Sequence, residues 1–261
     1  MKFLKILYFY FVIFLDRIWS KPAIPVLLYH SISEDQSRLA VSPKNFKRQI
    51  AYLASKGYEC IDPLRLKLAL EKKVLPKKKI LITFDDGFRD NYLVVYPILK
   101  KYNFFATIFL ATNFIGKKAS FAKNLIDQKR PMLNREEIEK MSQAGFFFAN
   151  HFGSHLPLTE LNKDQITTEY HQAKDFIQSF PGRNFLFNVI AYPKNRNNSS
   201  IINQLDHLGV QLAFAGRGEV ISKNSQILDL PRIEIFNTDS LLKLRAKLTP
   251  YYRNFKKNYD F

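Results

Sequence analysis

The feature that most constrains the fold of this chain is the alternation of short apolar runs with amphipathic segments. Each apolar run has the length of a buried strand, and the segment after it carries apolar residues at helical spacing. Repeated β–α units predict a mostly parallel sheet covered by helices, either closed as a barrel or open and doubly wound. The length of 261 residues suits one such α/β domain, which we place at residues 21–261.

The individual elements follow from this alternation. The predicted strands are Ile24–Tyr29, Lys79–Phe84, Phe104–Ala111, Phe146–Ala149 and Asn188–Tyr192, with short strands near Leu212 and Ile227. The predicted helices run from Ser42-Pro43 to Gly57, from Asn91 to Tyr102, from Asn134 to Gly145, from about Lys163 to Phe180, and from Ser199 to Leu208. Ser42 and Asn134 are the side chains expected to cap two of these helices, because serine and asparagine accept hydrogen bonds from the first free backbone N–H groups.

The first twenty residues differ from the rest of the chain. Lys2 and Lys5 precede an unbroken apolar run from Ile6 to Leu15, which is too short to span a bilayer comfortably. A basic start followed by a short apolar run is typical of an export signal. We therefore predict residues 1–20 to be a signal peptide or membrane anchor, and the protein to be exported, periplasmic or extracellular. An apolar helix or strand of a cytoplasmic protein is the alternative.

Charge and cysteine content limit the partners and the metal chemistry. The formal net charge of +17 makes nucleic acid, membrane phosphates and acidic glycans candidate partners. No helix-turn-helix, zinc finger or RNA-binding motif accompanies this charge, so we do not expect nucleic acid to be the partner. Cys60 is the only cysteine, which excludes an intrachain disulfide and a cysteine-rich metal site. A bound metal must therefore use histidine and carboxylate ligands.

Polar side chains collect where the predicted strands end. Parallel α/β folds bind ligands beyond the carboxyl ends of their strands, so these residues are the first candidates for a site. The residues that follow four strands are His30, Asp85 and Asp86, His151 with His155, and Pro193 with Lys194. Two carboxylates and three histidines are therefore expected at one end of the sheet.

The paired carboxylates Asp85 and Asp86 can be interpreted in two ways. Asp-Asp-Gly after a strand is a common turn, in which Asp caps a helix and Gly adopts a positive φ. A His-x-x-x-His pair elsewhere favours a metal site, because two histidines and one carboxylate leave positions open for water and substrate. A second carboxylate can then take a proton from the attacking water. The sequence contains no His-Glu-x-x-His, no Gly-x-Ser-x-Gly and no glycine-rich phosphate loop.

These motifs resemble a known family. Thr83-Phe84-Asp85-Asp86-Gly87 is similar to the first motif of the polysaccharide deacetylases of carbohydrate esterase family 4, the NodB homology domain, and His151 to His155 match its second motif in spacing. Further stretches resemble the branch that de-N-acetylates poly-N-acetylglucosamine: residues 26–30, 42–46, 57–58, 191–193 and 230–233. The resemblance covers most of residues 24–247.

The resemblance implies a distorted (β/α) barrel and metal-dependent hydrolysis of N-acetyl groups on an amino sugar. Carried over to this chain, Asp85 is the general base, and Asp86, His151 and His155 hold a divalent metal, which is usually Zn²⁺ in this family. We expect Arg232 to orient the base, because a neighbouring guanidinium keeps a carboxylate ionised.

The general acid and the substrate contacts of this family are matched less directly by the residues of this chain. No histidine follows Leu230, so His30 is predicted to protonate the leaving amine; a histidine that only caps its strand is the alternative. Tyr192, Pro193 and Lys194 are predicted to contact substrate, with backbone N–H groups near Tyr192 helping to hold the oxyanion. Pro-Lys-Asn replaces the family's Pro-Tyr-Gly here, which predicts altered sugar binding or an anionic substrate. Phe152 stands where the family usually has Ser or Thr.

Three functions remain open at this point. The first is deacetylation of an N-acetylated glycan such as poly-N-acetylglucosamine in the cell envelope or biofilm matrix. The second is deacetylation of a lipid-linked or peptidoglycan amino sugar at an anionic membrane surface. The third is a catalytically inactive glycan-binding module. The sequence gives no prediction of oligomeric state.

Overall fold

The structure is a computed structural model that describes residues 2–19 and 21–252. Its strands are β1 (Val26–Tyr29), β2 (Ser31–Ile32), β3 (Ala40–Val41), β4 (Glu59–Cys60), β5 (Lys79–Phe84), β6 (Thr107–Leu110), β7 (Phe147–Asn150), β8 (Phe185–Ala191), β9 (Leu212–Ala215), β10 (Leu230–Pro231) and β11 (Ile233–Glu234). Its α-helices are α1 (Lys2–Ile18), α2 (Pro43–Ser55), α3 (Pro63–Glu71), α4 (Tyr96–Lys101), α5 (Leu125–Gln128), α6 (Arg135–Gln143), α7 (Lys163–Gln178), α8 (Ser199–His207) and α9 (Leu241–Lys247). Residues 253–261 lie outside the described residues.

The main sheet is parallel and curls into a nearly closed barrel. Its strands follow the order β10-β9-β8-β7-β6-β5-β1-β11, and β4 pairs with the outer part of β5. β10 pairs with β9 at one end of this order, and β11 pairs with β1 at the other. Since Arg232 alone separates β10 from β11, one short segment closes the sheet on itself. The predicted distorted (β/α) barrel is confirmed, and the open doubly wound alternative is excluded.

Side-chain alternation along the strands separates two layers of core. In β5, Ile80, Ile82 and Phe84 belong to a large cluster that packs under the helices, whereas Leu81 belongs to a second cluster. That second cluster draws residues from seven of the eight strands in this order, all except β11, so it fills the barrel interior. Because residues two apart on a strand share a face, Asp85, which directly follows β5, continues the inward-facing row of Leu81.

The predicted helix caps are present. The Ser42 hydroxyl accepts a hydrogen bond from Asn45 N, and Pro43 occupies the first turn of α2. Asn134 forms a capping box with Glu137 at the start of α6. These local signals set the helix starts independently of tertiary packing.

Two predicted elements need correction. The strand predicted near Ile227 is wrong: Ile227 only accepts one backbone hydrogen bond from Ala213, and the strand itself begins at Leu230. The helix predicted from Asn91 to Tyr102 is divided into a π-helical turn, Asn91–Val95, followed by α4. The segment Glu59–Glu71, for which no element was predicted, contains β4 and α3.

The N-terminal helix α1 packs on the barrel by one side only. Val12, with Tyr8, Phe9 and Ile13 around it, contacts Ala246 of α9 and Tyr252. Exposed large apolar side chains occupy the remaining surface: Phe3, Leu4, Ile6, Leu7, Tyr10, Phe11, Phe14, Ile18 and Trp19. Among the described residues, no helix has both the length and the hydropathy needed to cross a membrane.

Candidate active site

The predicted polar residues meet in one pocket at the carboxyl ends of the barrel strands. The pocket has a volume of about 290 Å³. It is lined by His30, Arg38, Leu39, Asp85, Asp86, Phe121, Ala122, Lys123, Asn124, Asp127, His151, His155, Lys194, Asn195 and Glu234. The register of the parallel strands explains the convergence: Tyr29 pairs with Phe84 and Leu110 with Asn150, so the residues that follow these strands emerge side by side.

Asp85 and Arg232 form a buried ion pair at the base of this pocket. Arg232 Nη1 lies 2.6 Å from Asp85 Oδ1, and Nη2 lies 2.7 Å from Oδ2, which is a bidentate geometry. The Arg232 side chain is fully buried, and its guanidinium sits 5.4 Å from the centroid of the Phe109 ring inside the barrel. Burial opposes ionisation of Asp85, but Arg232, together with His151 and His30, holds the pKa of this carboxyl below its ordinary value.

Asp86, His151 and His155 form a compact cluster beside this pair. Asp86 Oδ1 lies 3.0 Å from His155 Nε2 and 3.5 Å from His151 Nε2. All three side chains are buried, and one ligand atom from each lies within 4.8 Å of the others. His151 Nδ1 lies 2.8 Å from the carbonyl oxygen of Ala191. Because a carbonyl can only accept, Nδ1 carries the proton and Nε2 is free to bind a metal.

The donor set and its protonation fit a divalent cation. Asp86 Oδ1 is buried yet accepts no well-aligned hydrogen bond from the described residues. Burial lowers the pKa of His155 to about 4 despite the attraction of Asp86, so its imidazole is neutral at physiological pH. Burial also opposes ionisation of Asp86, but the pKa of this carboxyl lies well below its ordinary value because the facing histidines favour the charged form. One carboxylate and two imidazoles are a ligand set that zinc and similar metals take.

His30 also lines this pocket. It follows β1, is only partly buried, and lies close enough to Asp85 and Asp86 to favour their charged forms. Its carbonyl oxygen accepts a hydrogen bond from Asn91 Nδ2, which fixes the backbone at the end of the strand. The imidazole of His30 has no hydrogen-bond partner among the described residues, so it faces the pocket without a structural bond to hold it elsewhere.

Backbone strain is concentrated around this pocket. Five non-glycine residues here have a positive φ: Asp86 (72°), Phe152 (63°), His155 (59°), Lys194 (55°) and Asn195 (55°). Side chains with a Cβ rarely adopt this conformation, which costs roughly 1–3 kcal/mol per residue and is found mainly where the surrounding structure enforces it. Two of the candidate metal ligands are therefore aimed by strained backbone.

Gly87 is required by close packing. Its φ is +86°, and a Cβ at this position would lie 2.9 Å from Leu110 Cδ2. The sharp turn after β5 thus packs directly against the neighbouring strand β6, which brings Asp85 and Asp86 to the barrel rim. Asp-Asp-Gly is both a turn and part of the pocket, so its interpretation as a turn and its interpretation as part of a site are compatible.

Of the three predicted substrate contacts, only Lys194 lines the pocket. Tyr192 does not reach the pocket: its hydroxyl donates to Leu228 O at 2.6 Å, and its N–H donates to Phe214 O. Tyr192 is therefore not placed to contact the substrate or the oxyanion. Its hydrogen bonds instead stabilise the loop after β8. Pro193 is buried at the start of a 3₁₀ turn and does not line the pocket. Lys194 does line it.

Phe152 is accounted for by packing. Its side chain is fully buried among Leu158, Ile166, Tyr170 and neighbouring apolar residues, away from the pocket lining. Its N–H donates to Asn150 Oδ1 at 2.7 Å. The substitution of a family Ser or Thr by Phe at this position thus leaves the candidate metal ligands in place.

Several pocket residues were not predicted. Asn195 lines the pocket, and its Oδ1 lies 3.3 Å from Arg232 Nη2. The loop from 114 to 131 contributes Phe121 and Lys123, and the Phe121 ring packs 4.3 Å from the His155 ring. A long segment without helical or strand periodicity inside a compact domain is itself a signal of a functional loop.

This loop is fixed to the barrel by the buried residue Arg130. Its guanidinium lies 2.7 Å from Asp127, 3.0 Å from Asp35 and 3.6 Å from Asp90. Asp127 in turn accepts a hydrogen bond from Ser37. One arginine thus joins the pocket loop to the segments that follow β2 and β5.

The family is established by comparison with known proteins. Residues 72–213 match the family profile described as polysaccharide deacetylase. The Bacillus subtilis protein YxkH is 32% identical over 217 residues, which cover 82% of this chain and 72% of that protein. The Staphylococcus epidermidis poly-β-1,6-N-acetyl-D-glucosamine N-deacetylase is 26% identical over 212 residues, 78% of this chain and 71% of the relative.

A solved structure extends the match to three dimensions. The Streptococcus pyogenes deacetylase PplD, solved in complex with acetate, aligns with a TM-score of 0.77 and 29% identity over 88% of this chain and 100% of that chain. The protein belongs to the polysaccharide deacetylase family. The predicted enzyme class, a hydrolase that acts on carbon–nitrogen bonds, is confirmed.

Proposed function

We propose that this protein is a metal-dependent de-N-acetylase of an N-acetylglucosamine polymer of the poly-N-acetylglucosamine type, in the cell envelope or biofilm matrix. The observation that carries the proposal is the buried cluster of Asp86, His151 and His155 next to the ionised Asp85–Arg232 pair in one pocket. The named activity of the staphylococcal relative supports this choice of substrate.

The divalent metal, which we propose to be Zn²⁺, would be held by Asp86, His151 and His155 and would supply Lewis acidity toward the acetamide carbonyl and the attacking water. Asp85 is the group placed to accept the proton of that water. Arg232 keeps Asp85 ionised and fixes the direction of its oxygens, so the base is charged and aimed before substrate arrives.

His30 is assigned to the second proton transfer. Water adds to the acetamide carbon, the C–N bond breaks, and the nitrogen must gain a proton to leave as an amine. His30 lines the same pocket as the candidate metal ligands, and its imidazole has no hydrogen-bond partner among the described residues, which suits a group that protonates the leaving nitrogen. The products are acetate and the free amino sugar.

Acetate release from β-1,6-linked N-acetylglucosamine oligomers tests the function. Chelated protein should release no acetate, and added zinc, cobalt or nickel should restore release. Asp85→Asn should abolish turnover, whereas Asp229→Asn, which alters a partly exposed ion pair with Arg217 outside the pocket, should not. Glycan binding without acetate release under every metal condition would instead identify a catalytically inactive glycan-binding module.

The proposed location is outside the cytoplasm, at the membrane surface when α1 is retained. The exposed apolar face of α1 and the basic net charge of +17 both suit an anionic lipid interface, in which an amphipathic helix lies flat. Phe11 and Phe14 are more than half exposed on this face.

Flotation with vesicles that contain anionic lipid tests the location. The pair Phe11→Glu and Phe14→Glu should release the protein from vesicles. Leu93→Glu, at an exposed apolar residue of the π-helical turn before α4, should leave flotation unchanged. Recovery of the wild-type chain in the cytoplasmic fraction of its host would refute the proposal.

A further inference from the structure

A second groove adjoins the active-site pocket. It has a volume of about 420 Å³ and lies between the loop from 114 to 131 and the segment that follows His155. Phe121, Lys123, His155 and Lys194 line both cavities and form the wall between them. A ligand group in the groove would therefore sit next to the candidate metal ligands.

The groove carries an unbalanced positive charge. Lys123, Lys194 and Arg196 line it, and Glu160 is its single carboxylate. Glu160 is already bound, since its Oε1 lies 3.1 Å from Arg196 Nη1. Neither Lys123 nor Lys194 has an ion pair among residues 2–19 and 21–252. Asp86 of the adjacent pocket attracts the charge of Lys194, and Lys123 and Arg196 are near enough to repel it. Three cations against one anion leave a net charge of about +2 in the groove at neutral pH.

The direction of Lys194 is built into the fold. Lys194 and Asn195 both have φ of 55°, and the Asn195 side chain is fixed by Arg232 on one side. On the other side it fills the space at Gly216, where a Cβ would lie 2.6 Å from Asn195 Nδ2. Lys194 Nζ then extends over the Phe121 ring, 5.9 Å from its centroid. A strained turn thus holds a half-buried ammonium group toward the shared wall.

We propose that this groove is an anionic subsite that binds a phosphate ester on the substrate, next to the N-acetylated sugar, through Lys123, Lys194 and Arg196. This inference rests on the proposed deacetylase function and narrows its substrate class. A phosphate monoester carries about −1.5 to −2 at pH 7, which matches the charge of the groove, whereas a carboxylate carries only −1. Cations outnumber carboxylates in the groove, and Lys123 and Arg196 repel Lys194, so a bound phosphate relieves that repulsion.

Three variants of the full-length, metal-loaded protein test the subsite. Lys194→Met and Lys123→Met each remove one charge while keeping most of the side-chain length. Lys129→Met is the matched control, because this exposed lysine belongs to the same loop but lines a different surface cavity.

The substrates are an N-acetylglucosamine trimer, the same trimer with one phosphate ester on the neighbouring sugar, and a polyprenyl diphosphate-linked N-acetylglucosamine. The measured quantity is the ratio of kcat/KM for each phosphorylated substrate to kcat/KM for the neutral trimer.

The wild-type protein should prefer at least one phosphorylated substrate by about tenfold or more, a preference that weakens with added salt. Lys194→Met should reduce the ratio about tenfold and Lys123→Met, which is more exposed, about threefold, whereas Lys129→Met should not change it. Preference for the soluble phosphorylated trimer identifies a phosphate on the glycan, and preference for the lipid-linked sugar alone identifies a lipid diphosphate. Equal kcat/KM for all three substrates would overturn the subsite. So would a fall in the ratio in Lys129→Met as large as that in Lys194→Met.

Calorimetric binding of the neutral and phosphorylated trimers separates this inference from the proposed function. If no substrate releases acetate, the deacetylase proposal fails, but tighter binding of the phosphorylated trimer that is lost in Lys194→Met still supports the subsite. Equal dissociation constants for the two trimers refute the subsite whether or not the protein is active.

Discussion

Replacing Arg232 with Met tests how the candidate base is held in its charged form. In the folded protein both oxygens of Asp85 face the guanidinium at 2.6 and 2.7 Å, and both side chains are buried. Arg232→Met fills much of the same volume but leaves the carboxylate buried without its main counter-charge. Removing one partner of a buried ion pair costs about 3–5 kcal/mol in general. For a domain of this size, that corresponds to a fall in Tm of roughly 6–20 °C.

The loss of stability should depend on pH in a defined direction. In the wild type the pKa of Asp85 lies below its unfolded value, because Arg232, with His151 and His30, offsets the effect of burial. Ionised Asp85 therefore stabilises the fold above the unfolded pKa of about 4, and that contribution is lost as the pH falls through the folded pKa. In Arg232→Met burial prevails, so the folded pKa rises above the unfolded value. Ionisation then destabilises the variant, and the free energy of unfolding falls as the pH rises through this range.

The same shift should appear in catalysis. An arginine neighbour lowers the pKa of an aspartate by about 1–3 units, so its loss should move the acidic limb of the kcat/KM profile to higher pH by a similar amount. Below both pKa values, each unit reduces kcat/KM about tenfold. Arg232→Lys keeps one positive charge without the bidentate geometry. Its acidic limb should therefore lie at a pH between those of the wild type and Arg232→Met.

The assays are urea unfolding of chelated protein from pH 4 to 8 and the pH profile of acetate release by metal-loaded protein. Arg217→Met is the control, because Arg217 also pairs with a carboxylate, that of Asp229, but is about half exposed. It should cost less than about 1 kcal/mol at every pH. A stability loss in Arg232→Met that is the same at pH 4 and pH 8, together with an unmoved acidic limb, would refute the role given to this pair.

Three further predictions concern other parts of the pocket. His30→Ala should lower kcat by roughly 10²–10⁴-fold with unchanged metal content by elemental analysis; wild-type turnover would exclude His30 as the acid. Asp86→Asn should weaken zinc binding at least about tenfold in equilibrium dialysis, and undiminished binding would remove Asp86 from the ligand set. Gly87→Ala should lower the free energy of unfolding by about 1–3 kcal/mol, since its Cβ would meet Leu110. Gly57→Ala, which meets no atom within 4 Å, should cost less.

Much of the fold could be predicted because its signals are local. The strand Lys79–Phe84 was predicted with its observed bounds, since its apolar run is bordered by lysines and by Asp-Asp-Gly. Caps at Ser42 and Asn134 fixed helix starts in the same way. The strand misplaced at Ile227 shows where local signals fail. Strands β10 and β11 have two residues each and exist because of their neighbours, so no periodicity reveals them.

The site was predictable where its residues follow strands in sequence. His30, Asp85, Asp86, His151 and His155 all line the pocket, because parallel strands deliver their carboxyl ends to one rim. Tyr192 also follows a strand, yet its side chain points into the core. Position after a strand determines which rim a residue reaches, but the backbone conformation of the next turn determines where its side chain points.

Arg232 links the closure of the barrel to the charge of the base. It is the residue between β10 and β11, the segment whose pairing with β9 and β1 closes the sheet. A barrel closed in a different register would place another residue inside and leave Asp85 buried without a counter-charge, at a cost of several kcal/mol. The ion pair therefore favours one closure over its alternatives, and the same contact keeps the candidate base ionised. A sequence pattern cannot show this coupling, because the two residues are 147 positions apart and meet only when the sheet closes.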